Sequence, residues 1–276
     1  MYYLSDKKSN GFTLVELLVV VVIIGLLMAI LLPSLSLARA QSREVVCRSN
    51  IRQLVIANLG YAVENNEYFV AAASDLWDTS GGLHRWHGVR ETPDDAFDAS
   101  SGPLASYLGG GQVKECPENV MFHKGQTWND SFEKGCGGYG YNLTYLGSTH
   151  WKSGVTTIDE WKECYAKTTK TLQVERSDET IMFADTAYLK DNKLIEYSFV
   201  EPRYWLLDGK IDQASTMSPT VHFRHNYKTN IAWADGHVTA TKIPDDYDDI
   251  DAYLERFREW QLGMVDPVDN SLFDLK

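Results

Sequence analysis

Residues 12–32 constrain this chain more than any other stretch. Between Phe12 and Leu32 only Thr13, Glu16 and Gly25 interrupt an apolar run. As a helix these 21 residues are about 30 Å long, enough to cross the hydrocarbon core of a bilayer. Lys7 and Lys8 lie just before the run, and Asp6 is the only acid beside them. The positive-inside rule therefore places the leader in the cytoplasm and the chain after Pro33 outside. A cleaved secretory signal fits poorly, because no small-x-small site follows and the helical pattern runs on past Pro33. Glu16 is out of place. A carboxylate at this depth costs about 2.5 kcal/mol or more unless water or a cation reaches it. Read alone, it is an interfacial acid near the cytoplasmic end of the span; a pairing cation makes it a functional residue.

The segment Lys7-Lys8-Ser9-Asn10-Gly11-Phe12-Thr13-Leu14-Val15-Glu16 resembles the cleavage site of type IV prepilins and type II secretion pseudopilins. The resemblance implies that prepilin peptidase cuts after Gly11 and that Phe12 becomes the methylated N-terminus. It implies that Glu16 meets the N-terminal amine of a neighbouring subunit. Gly25 and Pro33 would bracket a part of the helix that loosens as subunits pack; glycine is a weak helix former and proline removes a donor. The partners implied are the peptidase, other pilin or pseudopilin subunits and an inner-membrane secretion platform. The chain would be a single-pass protein of a bacterial inner membrane, its N-terminus cytoplasmic and its C-terminal domain periplasmic or extracellular. It would be a structural subunit, not an enzyme, with no cofactor. The alternative is a surface protein that borrows this anchor to display a binding domain, for instance for polysaccharide.

The formal charge of −12 argues against nucleic acid as a partner. Eight Trp and 15 Tyr are read first as core and half-buried strand residues, and only second as a sugar-binding surface. The cysteines Cys47, Cys116, Cys136 and Cys164 allow three pairings, and the outside of the membrane permits disulfides. Cys116 and Cys136 frame a Gly-rich stretch and are the expected pair; the alternative is four reduced, buried thiols. No CxxC occurs, so no zinc site is expected from the cysteines.

The expected fold is α+β, a long N-terminal helix continuing into a soluble domain with an antiparallel sheet. Residues 1–11 are leader, 12–33 the membrane half of the helix and 34–64 its soluble half. A globular domain spans 65–242 and an acidic extension with a helix spans 243–276. Cys47, Ile51, Leu54, Val55, Asn58 and Ala62 recur at spacings of three and four, one buried stripe. Residues 74–115 read as surface loops, with a short helix near Pro103–Leu108 and His84 and His87 exposed about Trp86. Thr180–Asp185 and Ser198–Val200 are candidate strands. Asn230–Ala234 and His237–Thr241 alternate about Asp235-Gly236, the signature of a type I′ hairpin. The extension holds ten acids against three bases, and Ile250, Tyr253, Leu254, Phe257 and Gln261 follow helical spacing.

His225 and Asp235-Gly236 are separated by nine residues. This resembles the H-X9-DG signature of prepilin-like proteins abundant in Planctomycetes, Verrucomicrobia and Lentisphaerae. The segments beginning at Cys47, Glu115-Cys116-Pro117 and Gly138–Asn142 also look like that group, which brings no reaction with it. From the residues, a His225–Asp235 contact is expected to fasten the loop to the hairpin. His222, His225, Asp235 and His237 are the right types for a zinc-class site, but His222 and His225 lie three apart outside any helical pattern, and no metal is expected.

Overall fold

A computed structural model describes residues 12–79, 82–119, 133–152, 154–243, 257–265 and 269–276. Helix α1 runs over Leu14–Glu64 without a break at Pro33. Among the described residues it is the helix long and apolar enough to cross a membrane. The chain divides into two units, 1–42 and 43–276. In the first, the side chains from Phe12 to Leu32 face outward all round: Leu14 is 82% exposed and Leu32 66%. Such a helix is stable in lipid, not in water.

In the second unit the expected stripe is buried. Cys47, Ile51, Leu54, Val55, Asn58 and Ala62 all lie in the core, with Asn50 and Ala57. Asn58 is a polar member of an apolar stripe, and its Oδ1 accepts from the Val70 N–H at 2.9 Å. The helix stops where expected. Asn66 adopts a positive φ of 54°, and the Glu67 N–H turns back to the Ala62 carbonyl at 2.9 Å.

The strands are β1 (His84–Arg85), β2 (Gly88–Val89), β3 (Tyr139–Asn142), β4 (Ile181–Asp185), β5 (Tyr188–Lys190), β6 (Lys193–Ile195) and β7 (Phe199–Val200). They continue with β8 (Tyr204–Leu207), β9 (Lys210–Thr216), β10 (Val221–His222), β11 (Lys228–Trp233), β12 (Val238–Lys242) and β13 (Leu262–Gly263). A second helix, α2, spans Ile158–Ala166 behind a Thr157–Glu160 capping box. The main sheet has the order β12-β11-β4-β3-β7. Its pairs are antiparallel except β3 with β7. Every residue of β4 is buried, as an unbroken apolar run ending in Asp185 demands of a central strand. This is the expected α+β, pilin-like arrangement.

Four details differ from the sequence reading. The β11–β12 loop is not a type I′ turn: the Gly236 N–H bonds the Trp233 carbonyl at 2.9 Å, and only Gly236 in the loop has positive φ. That is a three-residue loop closed by a glycine bulge. The type I′ pattern lies earlier, at Asn226-Tyr227, both at positive φ, with His225 and Lys228 exchanging backbone bonds. His87 is buried, its Nε2 2.8 Å from Ser198 Oγ; of the pair only His84 is exposed. The C-terminal residues are built into the domain instead of extending from it. β13 pairs with β10, the Ile181 N–H donates to the Leu272 carbonyl at 2.7 Å, and Phe273 is 1% exposed. The helix expected around Ile250–Leu254 lies outside the described residues.

Candidate functional site

Two sets of residues carry chemistry, one in each unit. The first is the start of α1. Leu14 opens the helix, so Thr13 is its N-cap and Glu16 the third helical residue. Glu16 Oε2 accepts from the Thr13 N–H at 2.8 Å and the Thr13 hydroxyl at 2.7 Å, while the Glu16 N–H donates to Thr13 Oγ1 at 3.2 Å. Thr-Leu-Val-Glu is therefore a capping box, a T-x-x-E pattern that the sequence reading passed over. The box satisfies helix N–H groups that lipid would leave bare. It engages one carboxylate oxygen, and among the described residues no cation lies against Glu16. Farther along, a Cβ added at Gly25 would meet nothing within 4 Å. Among the described residues nothing requires glycine there. Gly11 lies outside the described residues, and Phe12 is 73% exposed.

The second set is buried in the domain. Cys47 comes from α1, Cys116 from the loop ahead of β3, Asp185 from the end of β4 and His225 from the turn ahead of β11. The Cys47 thiol lies 3.1 Å from Asp185 Oδ1, and His225 Nε2 lies 3.5 Å from Cys116 Sγ and 3.4 Å from Asp185 Oδ2. Tyr139 OH donates to Cys47 Sγ at 3.5 Å. Asp185 also accepts from the Asn230 N–H at 2.7 Å and its side-chain amide at 3.0 Å. Next to the cluster, Arg224 donates to Asn119 Oδ1 and to the carbonyls of Gly138 and Thr186.

The electrostatics follow from burial and from these contacts. Burial pushes the Cys47 thiol well up, and its contacts with Cys116 and Asp185 push the same way. Burial opposes charge on Cys116 too, but its interactions with Cys47 and His225 outweigh it and bring the thiol down to about 5. For His225, burial is outweighed by Asp185 and Cys116, which raise it to about 9. Asp185 is fully buried, yet His225 and Arg224 hold it below the usual carboxylate range.

This arrangement corrects several expectations. His225 does not meet Asp235. Strand β11 lies between them, and its six residues span roughly 20 Å. Asp235 caps its own loop instead, accepting from His237 Nδ1 at 2.6 Å. Among the described residues, the His222, His225, Asp235, His237 set is likewise not brought to one point. Cys116 and Cys136 are not joined: both thiols are free, and Cys116 turns to Cys47 and His225. Asp185 was missed as a site residue. Its signal was an acid ending an otherwise apolar strand, TIMFAD. The segments that carried the resemblance, at Cys47, Cys116, Gly138–Asn142 and His225, meet at this one cluster.

Elsewhere, Ser198, His87 and Glu133 are in contact, but Glu133 takes the serine hydroxyl at 2.8 Å and not the imidazole. A nucleophilic relay needs the acid on the far side of the histidine. Trp161 stacks on Trp205 with ring centres 5.7 Å apart and lies edge-on to Trp77. These rings use their faces on one another.

The prokaryotic N-terminal methylation motif matches residues 6–32. Over 62 residues the chain is 37% identical to the type IV wide pilus major component of Thermus thermophilus, covering 22% of this chain and 47% of that protein. It is 36% identical over 63 residues to the type IV major pilin protein of Myxococcus xanthus, 23% of this chain and 29% of that one. It is 34% identical over 65 residues to the type II secretion system core protein G of Pseudomonas aeruginosa, 24% and 46% of the two chains. The chain thus spans less than half the length of each of these relatives. No solved structure matches it.

Proposed function

We propose that this protein is a pilin-like filament subunit, anchored by residues 12–33 in the inner membrane and assembled through the start of α1. Prepilin peptidase cuts after Gly11, and Phe12 is methylated on its new amine. The subunit then joins other pilins or pseudopilins at a membrane platform of a type II secretion-like or type IV pilus-like system. The observation that carries this reading is Glu16. It is an acid in an apolar helix with no cation against it among the described residues, and its capping box engages only one of its oxygens. The amine of a neighbouring Phe12 supplies the missing charge and selects one axial register. The methylation motif over 6–32 and the similarity to pilins and to a secretion core protein support the same assignment.

Two measurements test it. Mass spectrometry of the membrane-extracted protein should find a methylated N-terminus at Phe12; retention of Met1 would sink the processing step. Cysteines placed along 17–32 should crosslink neighbouring subunits in wild type and fail to do so in Glu16→Val. Unchanged crosslinking in that variant would remove the mechanism and favour the displayed binding domain instead.

A further inference from the structure

We propose that Cys47, Cys116, Asp185 and His225 form a buried four-ligand site for a thiolate-favouring divalent ion of the zinc class. Their ligand atoms all lie within 4.8 Å of one another. With Zn–S near 2.3 Å and Zn–N or Zn–O near 2.0 Å, a tetrahedral ion sets its ligands roughly 3.3–3.8 Å apart. The separation of 3.5 Å between Cys116 Sγ and His225 Nε2 falls within that range, as does the 3.4 Å from that nitrogen to Asp185 Oδ2; the Cys47 sulfur lies 3.1 Å from the other carboxylate oxygen, Oδ1, slightly shorter than the range.

The surroundings suit an ion. A ligating carboxylate needs partners that fix it, and Asp185 has two bonds from Asn230. Two thiolates and a carboxylate around a divalent ion leave one negative charge. Arg224, which precedes His225 in the chain and is itself buried, offsets it. Soft sulfur donors with imidazole favour zinc over calcium or magnesium. All four residues are buried, so the site is closed and structural. It ties the soluble half of α1 to the end of β4 and to the loops before β3 and β11. A Cys47–Cys116 disulfide is the competing use of the two sulfurs. The ligands come from four distant segments, so no CxxC spacing announces the site.

The test uses the full chain purified in mild detergent. Elemental analysis should find stoichiometric zinc in wild type, lost in Cys116→Ser and in His225→Ala but kept in Cys164→Ser, whose thiol lies outside the cluster. If the ligand variants fail to fold, wild type decides alone. After chelation and loading with cobalt(II) it should show thiolate-to-cobalt charge transfer and the intense visible bands of a tetrahedral ion. The proposal is overturned by a Cys47–Cys116 disulfide in the protein as extracted. It is equally overturned if the reduced chain gives neither zinc nor the cobalt spectrum, or if the metal persists in both ligand variants.

Discussion

Glu16 caps its helix in this chain and pairs with a neighbouring amine in the proposed filament, and substitution can separate the two. Its carboxylate caps the first turn of α1 with Thr13, and its charge is what a neighbouring amine would meet. Thr13→Ala removes the cap oxygen and leaves the charge. It should weaken the helix start by about 1 kcal/mol while crosslinking along 17–32 persists. Glu16→Gln keeps a side chain able to complete the box but is neutral. Helicity should hold and crosslinking should fail; the reverse pattern would make Glu16 a cap and nothing more. Gly25 gives a second residue-scale test. An added methyl meets nothing within 4 Å among the described residues, so Gly25→Ala should stabilise the isolated helix by about 1 kcal/mol. If circular dichroism shows that gain and assembly still falls, the requirement for glycine comes from the neighbouring subunit.

Among the elements, β3 is held by a close backbone approach. Its Gly140 lies where a Cβ would stand 2.4 Å from the Phe199 carbonyl carbon and 2.5 Å from Thr186 Cγ2. The parallel β3–β7 pairing depends on that close approach, with the Tyr141 N–H donating to the Ser198 carbonyl at 2.9 Å. Gly140→Ala should cost about 1–3 kcal/mol through overpacking. Gly109→Ala, with nothing within 4 Å, should stay near zero. Urea unfolding of the two variants, followed by tryptophan fluorescence, checks the contrast; equal midpoints would mean that β7 moves aside freely.

At the scale of the whole molecule, stability should depend on pH through buried groups that are not members of the cysteine cluster. Burial raises Glu201 to about 7, against a hydrogen bond from Tyr197. The folded chain therefore holds a proton that the unfolded chain releases above about 4.5. Stability from this group falls as pH rises from there to 7 and stays lost above, by up to about 3 kcal/mol. Burial lowers His87 to about 3 and His150 to about 4, so these two act in the opposite sense, losing stability as pH falls below about 6.5. A comparison between variants isolates the acid. Glu201→Gln should melt higher than wild type at pH 8 and match it near pH 4.5, and a constant offset at both pH values would refute the assignment.

The sequence by itself determined whatever depends on neighbours along the chain. The apolar run, the acid at position 16 and the buried stripe from Cys47 to Ala62 are periodic or contiguous, and helix geometry turns such patterns directly into position. The β4 and β11–β12 strands were legible for the same reason, through unbroken apolar character in one and alternation in the others. The capping box at Thr13 and Glu16 was equally local, but it was hidden behind the membrane reading of the same residues. Only the tertiary structure decided the rest. Which partner His225 takes depends on strand order, because β11 carries Asp235 away along its length while the neighbouring β4 brings Asp185 alongside. The meeting of Cys47, Cys116 and Asp185, and the return of Phe273 and Leu275 into the core, join residues far apart in the chain, and no spacing rule connects such residues until the sheet has formed.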